Sequence, residues 1–314
     1  MDLPLLTADE VTAALSPAAA VAALQQALRA GFDPATDGER LVLGWGEGGQ
    51  LLVMPAHTGD RSGVKILTVA PETVPVGTPR IQGIYLVVDP VTCAPAALLD
   101  GPAVTSLRTP AVSWTAVHSR LAGRAGLRVV VFGAGPQAVA HAASLEDVLG
   151  PEALRDMIFV HRNSKPDTAG LRTPSSLVAA GSRDQASAVR EADVVVCATT
   201  AATPLFAAGD VRPDAVVVAV GSHEPDRREL PAGLLARAQV VVEDRATALR
   251  EAGDVVLAVA EGAVAPADLV PLVDVVTGRT ALATDRPVVF KSTGMSWEDL
   301  VVADAVLQAH RSGR

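Results

Sequence analysis

The sequence is poor in several residue types, and each shortage argues against a class of site. It has only two cysteines, Cys93 and Cys197, and six histidines that occur singly. Neither residue type shows the clustering of metal ligands, so we expect no metal site. Both cysteines fall in strand-like contexts, which predicts two buried free thiols and no disulfide bond.

Basic charge and long apolar runs are scarce as well. The formal net charge is −9 and no basic block is present, which argues against binding to nucleic acid. The first residues, MDLPLLTADE, lack a basic segment followed by a long apolar stretch, so no signal peptide is predicted. The longest apolar runs have the length of a strand rather than of a membrane span. We therefore expect a cytoplasmic protein that does not enter a membrane.

Lysine is rare, since Lys65, Lys165 and Lys291 are the only lysines in a chain with 26 lysines and arginines. A lysine kept where arginine dominates marks a position at which the ammonium group could be needed. Chance explains the presence of any one of these three lysines equally well.

The first 121 residues change from helical to strand-like patterns and back. A capping box begins at Thr7, and an alanine- and leucine-rich helix runs to about Ala30. Between residues 40 and 99, short apolar runs broken by glycine and proline predict antiparallel strands. A helix is expected from about Gly101 to Leu121. Such a sheet needs another surface to pack against.

After Leu127 the pattern changes to valine-rich strands that alternate with helices. Nearly continuous apolar strands of this kind are typical of a parallel sheet covered on both faces. The segment 164–174, after the second strand, is a weak helix at best, which would shorten that crossover. Residues 295–310 form an amphipathic pattern, and we expect this last helix to pack back on the first domain.

The predicted fold class is therefore α/β, with two domains of different type. Residues 122–294 are expected to form a Rossmann-type doubly wound domain. Residues 1–121 are expected to form an α+β domain that is completed by the helix within residues 295–314.

Two stretches match the glycine pattern of dinucleotide-binding loops, but only one has the right context. Residues 44–49 fit G-x-G-x-x-G, yet a strand follows, so we interpret them as a hairpin turn. The second stretch, GAGPQA, follows a buried strand and opens a helix, whose N-terminal N–H groups would face the phosphates. Its glycines permit a tight turn and close approach of the backbone, and its alanine permits close helix–strand packing. The predicted cofactor contacts in this loop are Gly133, Gly135, Pro136, Gln137 and Ala138.

The end of the second strand distinguishes NAD from NADP. An NAD site usually has an acidic residue there, whereas this chain has Arg162, Asn163, Ser164 and Lys165. Two cations and two hydrogen-bonding side chains suit a 2′-phosphate, so we predict NADP(H) over NAD(H). Thr199 and Thr200 end the fourth strand at the carboxyl edge, where ligands bind in such sheets, and they are further candidates.

Several phrases, in order, resemble the ornithine cyclodeaminase/mu-crystallin family. They are TSLRTPAVS, VVVFGAGPQA, ADVVVCATTAATPLF, VGSHEPDRREL, LREAGDV and VVFKSTGMSWED. The resemblance covers nearly the whole chain. It implies an N-terminal substrate and dimerisation domain, a Rossmann domain, and a homodimer that acts on a small amino or imino acid.

The resemblance also implies substrate residues. Arg40 and Arg108 look like arginines that bind the substrate carboxylate, and Lys65 in the GVK motif looks like the active-site lysine. The segment from Lys291 to Gly294 looks like the part of the chain beside the nicotinamide. A planar guanidinium suits a carboxylate, and a lysine with a lowered pKa could transfer a proton.

One position departs from the cyclodeaminases. Where they resemble VGG-D-x-P, this chain reads VGSHEP, so His223 stands in place of the catalytic aspartate. The G-x-H-x-P form resembles the imino-acid reductases of the family. Histidine can act as an acid or base near neutral pH, which makes His223 a second catalytic candidate beside Lys65.

The sequence therefore predicts an NADPH-dependent reductase of a cyclic ketimine carboxylate, such as 1-pyrroline-2-carboxylate or 1-piperideine-2-carboxylate. An ornithine cyclodeaminase or an NAD(P)-dependent amino-acid dehydrogenase is the first alternative. A non-catalytic ligand-binding protein resembling mu-crystallin is the second, although an inert binder needs neither Lys65 nor Arg108.

Overall fold

The computed structural model of the protein describes residues 3–46, 48–59, 61–71, 73–75, 77–163 and 165–313. The chain divides into two units, the first made of residues 1–108 and 295–314 and the second of residues 109–294. This division falls inside a helix, 13 residues before the expected boundary at residue 121. The functional domain boundaries stay a prediction.

Apart from a two-residue strand at Leu5–Leu6, the helices and strands up to residue 121 follow the predicted order. They are β1 (Leu5–Leu6), α1 (Ala8–Ala14), α2 (Pro17–Arg29), β2 (Leu41–Trp45), β3 (Gly49–Thr58), β4 (Arg61–Val69), β5 (Ile81–Val88), β6 (Pro95–Asp100) and α3 (Gly101–Leu121). Thr7 and Glu10 form the predicted capping box at the start of α1. Pro17 is the first residue of α2, where its missing N–H costs nothing.

The remaining elements alternate as expected up to residue 252, and the elements between residues 253 and 291 were not expected individually. They are β7 (Leu127–Phe132), α4 (Pro136–Leu149), β8 (Leu154–His161), β9 (Ser175–Ala179), α5 (Arg183–Glu191), β10 (Val194–Cys197), β11 (Val216–Ala219), α6 (Ala232–Leu235), β12 (Gln239–Val242), α7 (Arg245–Glu251), α8 (Gly253–Ala260), β13 (Val270–Pro271), α9 (Leu272–Val276), β14 (Val288–Lys291) and α10 (Ser296–Ser312). No helix forms among the described residues between β8 and β9, in agreement with the weak pattern there.

The first unit contains a six-stranded sheet in the order β1-β6-β5-β4-β3-β2. Its strands are antiparallel as predicted, except that the two-residue β1 pairs parallel to β6. The helix α10 packs on β3, β4 and β5 and against α2, so it supplies the covering surface that the sheet needs. The stretch 44–49 connects β2 and β3 as a hairpin, with Trp45 opposite Gly49, which confirms the interpretation of that glycine pattern as a turn.

The second unit contains an eight-stranded sheet in the order β13-β12-β14-β11-β10-β7-β8-β9. Every strand pair in it is parallel. The central strands β7, β10, β11 and β14 are almost wholly buried, as expected for a sheet covered on both faces. The carboxyl ends of β7 and β10 lie side by side, because Phe132 is opposite Cys197.

The prediction for the cysteines is half wrong. Cys197 is buried in β10, but Cys93 is exposed. The cause is local: Cys93 lies in the turn between β5 and β6 with a φ of 57°, and Asp89 holds that turn by accepting the N–H groups of Val91 and Thr92. The apolar residues around Cys93 belong to the two strands of a hairpin, and Cys93 itself lies in the turn between them.

Among the described residues, no single helix is long and apolar enough to cross a membrane; α1 and α2, bent by 72°, pass such a test only as a pair and only by length and composition. No group of three or more potential metal ligands occurs in the described part of the chain.

Candidate functional site

Lys65 lies in β4 of the first unit, opposite Met54 of β3 and Tyr85 of β5. Its side chain is 1% exposed, and its Nζ lies 2.5 Å from Oδ2 of Asp299 in α10. The hydroxyl of Thr105, in α3, is 3.5 Å from the same nitrogen. Lys65 is therefore a buried lysine with a carboxylate partner rather than a strand lysine that reaches solvent.

Burial lowers the pKa of Lys65 to about 8, while the negative charge of Asp299 opposes that change. The positive charges of Arg108 and Arg40 lower it further, so both guanidinium groups lie near this ammonium. A lysine with such a pKa is mostly protonated at neutral pH yet can release its proton, as a group in proton transfer must.

Arg108 lies one helical turn after Thr105 in α3, on the same face. Its Nη1 donates to Oε2 of Glu298 at 2.9 Å, and its Nε donates to Oδ1 of Asp299 at 3.2 Å. The two oxygens of Asp299 thus contact two different cations. The structure brings together Lys65 and Arg108, and places Arg40 close enough to affect the first of them.

The sequence analysis missed the acidic partners of these cations. Glu298 and Asp299 are both 0% exposed, although charged residues are almost never fully buried unless they are paired. The one available signal was two adjacent acids at the start of a helix that must pack on an apolar sheet. Asp37 was missed as well: it accepts the N–H of Trp297 at 3.0 Å, and burial raises its pKa to about 6.

The glycine of the GVK motif has a packing role. A Cβ at Gly63 would lie 2.7 Å from the ring of Tyr85 and 2.8 Å from the carbonyl oxygen of Leu86. Tyr85 is completely buried beside Lys65, and its hydroxyl has no hydrogen-bond partner among the described residues. Burial and nearby carboxylates raise the pKa of Tyr85, so its hydroxyl keeps its proton.

The glycine loop of the second unit has the geometry of a dinucleotide site. Gly133, directly after β7, has a φ of 122°, and a Cβ there would lie 2.5 Å from the carbonyl oxygen of Ala198. At Gly135, by contrast, a Cβ would meet no described atom within 4 Å, so only a ligand close to the backbone would require glycine. Gly135 caps α4 without a side-chain hydrogen bond, and Ala138 is fully buried. The residues present therefore fit a pyrophosphate at this helix N-terminus.

The residues after β8 lie beside this loop, since Val160 of β8 is opposite Phe132 of β7. Arg162, Asn163 and Lys165 are exposed, and Ser164 lies outside the described residues. No acidic side chain occurs between residues 161 and 165. The arrangement can accept a phosphate on the adenosine ribose.

Thr199 and Thr200 follow β10 at the carboxyl edge of the sheet. The N–H and the hydroxyl of Thr199 both lie 2.7 Å from Oε1 of Glu229, whose other oxygen accepts the N–H of Gly221 at 2.8 Å. Burial raises the pKa of Glu229. This carboxylate, which the sequence analysis missed, joins the turn after β10 to the turn after β11.

Lys291 ends β14 and is fully buried. Its Nζ donates to the carbonyl oxygen of Ser222 at 2.5 Å and lies 3.0 Å from Oδ2 of Asp254. Ser222 directly precedes His223, which is exposed. Lys291 therefore holds the turn that carries His223; its predicted contact with a cofactor stays a prediction.

The segment after β14 is shaped by a further buried carboxylate. Glu243 accepts the hydroxyl of Ser292 at 2.7 Å and the N–H groups of Thr293 and Gly294 at 2.9 and 3.0 Å. The φ of Gly294 is 78°, a conformation that side chains disfavour. The predicted KSTG segment is thus a fixed turn at the carboxyl edge of the sheet.

Comparisons with known proteins agree with these motifs. A profile of the ornithine cyclodeaminase/mu-crystallin family matches residues 4–314. A Delta(1)-pyrroline-2-carboxylate/Delta(1)-piperideine-2-carboxylate reductase of Azospirillum brasilense is 32% identical over 99% of this chain and 98% of its own. The ketimine reductase mu-crystallin of Mus musculus is 31% identical over 85% of this chain and 82% of its own.

A solved archaeal alanine dehydrogenase dimer with bound NAD is 26% identical, with a TM-score of 0.85 over 100% of this chain and 97% of that one. The α/β fold class with a Rossmann domain and the expectation of an oxidoreductase that acts on C–N bonds are confirmed at the level of the family. This chain belongs to the ornithine cyclodeaminase/mu-crystallin family.

Proposed function

We propose that the protein reduces a small cyclic ketimine carboxylate to the corresponding cyclic amino acid, with NADPH as the reductant. The substrate class is that of 1-pyrroline-2-carboxylate and 1-piperideine-2-carboxylate, the compounds for which its Azospirillum relative is named. One observation carries the proposal: Lys65 and Arg108 are buried together, and Asp299 contacts both. A neighbouring ammonium and guanidinium match a small substrate that has a carboxylate next to a C=N bond.

Each residue has a proposed task. Arg108 and Arg40 bind the substrate carboxylate, because a guanidinium matches its planar geometry. The Lys65 ammonium contacts the same carboxylate, and either Lys65 or His223 keeps the imine nitrogen protonated. NADPH, when bound, would supply a hydride to the C=N carbon, and the electron pair of the double bond then stays on the protonated nitrogen.

The cofactor residues are proposed from the same reasoning. The N-terminus of α4 and its loop hold the pyrophosphate, and Arg162, Asn163, Ser164 and Lys165 bind the 2′-phosphate of NADPH. Thr199, Thr200, Lys291 and Gly294 complete the cofactor site at the carboxyl edge of the sheet. The archaeal dehydrogenase binds NAD, so the preference for NADPH in this chain depends on the cations after β8.

An ornithine cyclodeaminase is the alternative that the family offers. Its reaction needs a carboxylate where this chain has the exposed His223, so we rank it second. An amino-acid dehydrogenase is the other enzyme alternative. The proposed assembly is a homodimer, which the dimer of the archaeal relative supports.

The test is the oxidation of NADPH, followed by its absorbance, with a panel of cyclic imino acids, keto acids with amines, and ornithine. We expect efficient turnover only with the cyclic imino acids. His223→Asp restores the cyclodeaminase residue and should lower kcat/KM for 1-pyrroline-2-carboxylate about tenfold or more, since general acid–base groups contribute at least this much. Release of ammonia from ornithine by the wild-type protein, with no reduction of imino acids, would make the cyclodeaminase the first candidate and the reductase the second.

A further inference from the structure

The two carboxylates at the start of α10 are buried together with two cations. Glu298 contacts Arg108, with its Oε2 2.9 Å from Nη1. Asp299 contacts Lys65 through Oδ2 at 2.5 Å and Arg108 through Nε and Oδ1 at 3.2 Å. The carboxylate of Asp299 therefore connects β4, α3 and α10, three elements that are far apart in sequence.

Charge and burial explain why this connection matters. An ammonium in a fully buried position tends to lose its proton, and the cations Arg108 and Arg40 increase that tendency. From the opposite strand, Tyr85 faces Lys65 with a neutral hydroxyl, and Asp37 and Asp304 act on that hydroxyl. Asp299 contributes the negative charge in direct contact with Nζ.

We propose that Asp299 is a positioning residue for the reaction, which holds the Lys65 ammonium protonated and fixes its separation from the Arg108 guanidinium, so that both cations bind the carboxylate of one cyclic imino acid. The assignment of this role to the reaction rests on the proposed function. Glu298 contacts the guanidinium of Arg108 from the same turn of the same helix, and so it provides a matched comparison.

The variants Asp299→Asn and Glu298→Gln separate the two roles. Without the charge of Asp299, the pKa of Lys65 falls further below its value of about 8. In Asp299→Asn the alkaline limb of the kcat/KM profile should therefore move about one pH unit or more to lower pH, with at least about a fivefold loss of kcat/KM at pH 8. Glu298→Gln should raise KM and leave the alkaline limb in place. An identical limb in wild type and Asp299→Asn would overturn the proposal.

A measurement without turnover keeps this result separate from the proposed function. The chain has three lysines, so a protein labelled at lysine side chains gives a simple NMR spectrum, in which the signal that Lys65→Arg removes is that of Lys65. The Lys65 signal should titrate near pH 8 in wild type and at lower pH in Asp299→Asn. If it does so while no imino acid is reduced, the proposed function fails and the contact with Asp299 stands.

A conservative variant addresses a failure of Asp299→Asn to fold. Asp299→Glu keeps the charge but displaces the carboxylate by one methylene. We expect the Lys65 titration and the alkaline limb to stay near those of wild type, while kcat/KM falls about tenfold, because the separation of the cations changes. Wild-type kcat/KM in Asp299→Glu would show that the position of this carboxylate does not matter.

Discussion

Arg162 is the single residue on which the cofactor preference depends most. It is exposed after β8, and a charge-assisted hydrogen bond to a phosphate contributes about 1.5–3 kcal/mol. Arg162→Ala should therefore weaken NADPH binding about tenfold to a hundredfold and hardly change NADH binding. Dissociation constants from cofactor fluorescence measure this effect.

Arg155 provides the control, because it lies near the amino end of β8, the strand that Arg162 follows, and is 66% exposed. Arg155→Ala should leave the affinities for both cofactors unchanged. Equal losses of NADPH and NADH affinity in Arg162→Ala would mean that the cation acts on the pyrophosphate and not on a 2′-phosphate.

The sequence identified the cations of the site more readily than their partners. Lys65 and Arg108 stand in short motifs that can be compared with a family. Asp299 lies 234 residues along the chain from Lys65, and a local sequence pattern cannot indicate a contact between residues so far apart. Glu229, Glu243 and Asp254 were missed for the same reason, since each is defined by the turns it joins.

The N-terminus of α10 depends on a carboxylate from a distant segment. Asp37 accepts the N–H of Trp297, and its pKa of about 6 lies above its ordinary value of 3.8 because burial disfavours the charge. The folded state thus binds this proton more tightly than the unfolded state. The stabilisation that protonation gives is complete below about pH 4 and is lost as pH rises through 6.

Asp37→Asn removes this titration and keeps an oxygen that can accept the N–H. The unfolding free energy of the variant, relative to wild type, should rise by about 2 kcal/mol between pH 4 and pH 7. Urea denaturation at several pH values measures the difference. The exposed Asp33 gives the control variant Asp33→Asn, and the same slope in both variants would assign the effect to general surface charge.

Most helices and strands could be predicted because their hydrophobic periodicity is local. The exceptions have physical reasons. The strand β1 has two residues, too few for a period, and β14 was seen only as part of a motif. The helix α8 begins at Gly253, although glycine is more typical of a helix end; a Cβ there would lie 1.9 Å from the carbonyl oxygen of Arg227, so glycine serves close packing.

For the whole molecule, the edge strand β2 is the surface that a second copy could cover. All five of its residues are exposed, including Leu41, Val42, Leu43 and Trp45, and the Trp45 side chain is 64% exposed. An exposed apolar edge strand tends to associate with another chain. Trp45→Asp should therefore convert a dimer into a monomer at micromolar concentration in light scattering.

Val91 is the comparison residue for this experiment. It is 89% exposed, but it lies in the turn between β5 and β6 and not in β2. Val91→Asp should leave the dimer intact. A monomeric wild-type protein would contradict the proposed assembly, and a dimeric Trp45→Asp would locate the interface on another surface.

The position of the last elements has a consequence for how the chain matures during synthesis. The strand β14 lies between β11 and β12, and α10 covers the sheet of the first unit. The core of the second unit is thus incomplete until β14 has been synthesised. The core of the first unit is incomplete until α10 has been synthesised. Because contacts this distant in sequence form late, the apolar faces that these two elements cover stay open until both have been synthesised.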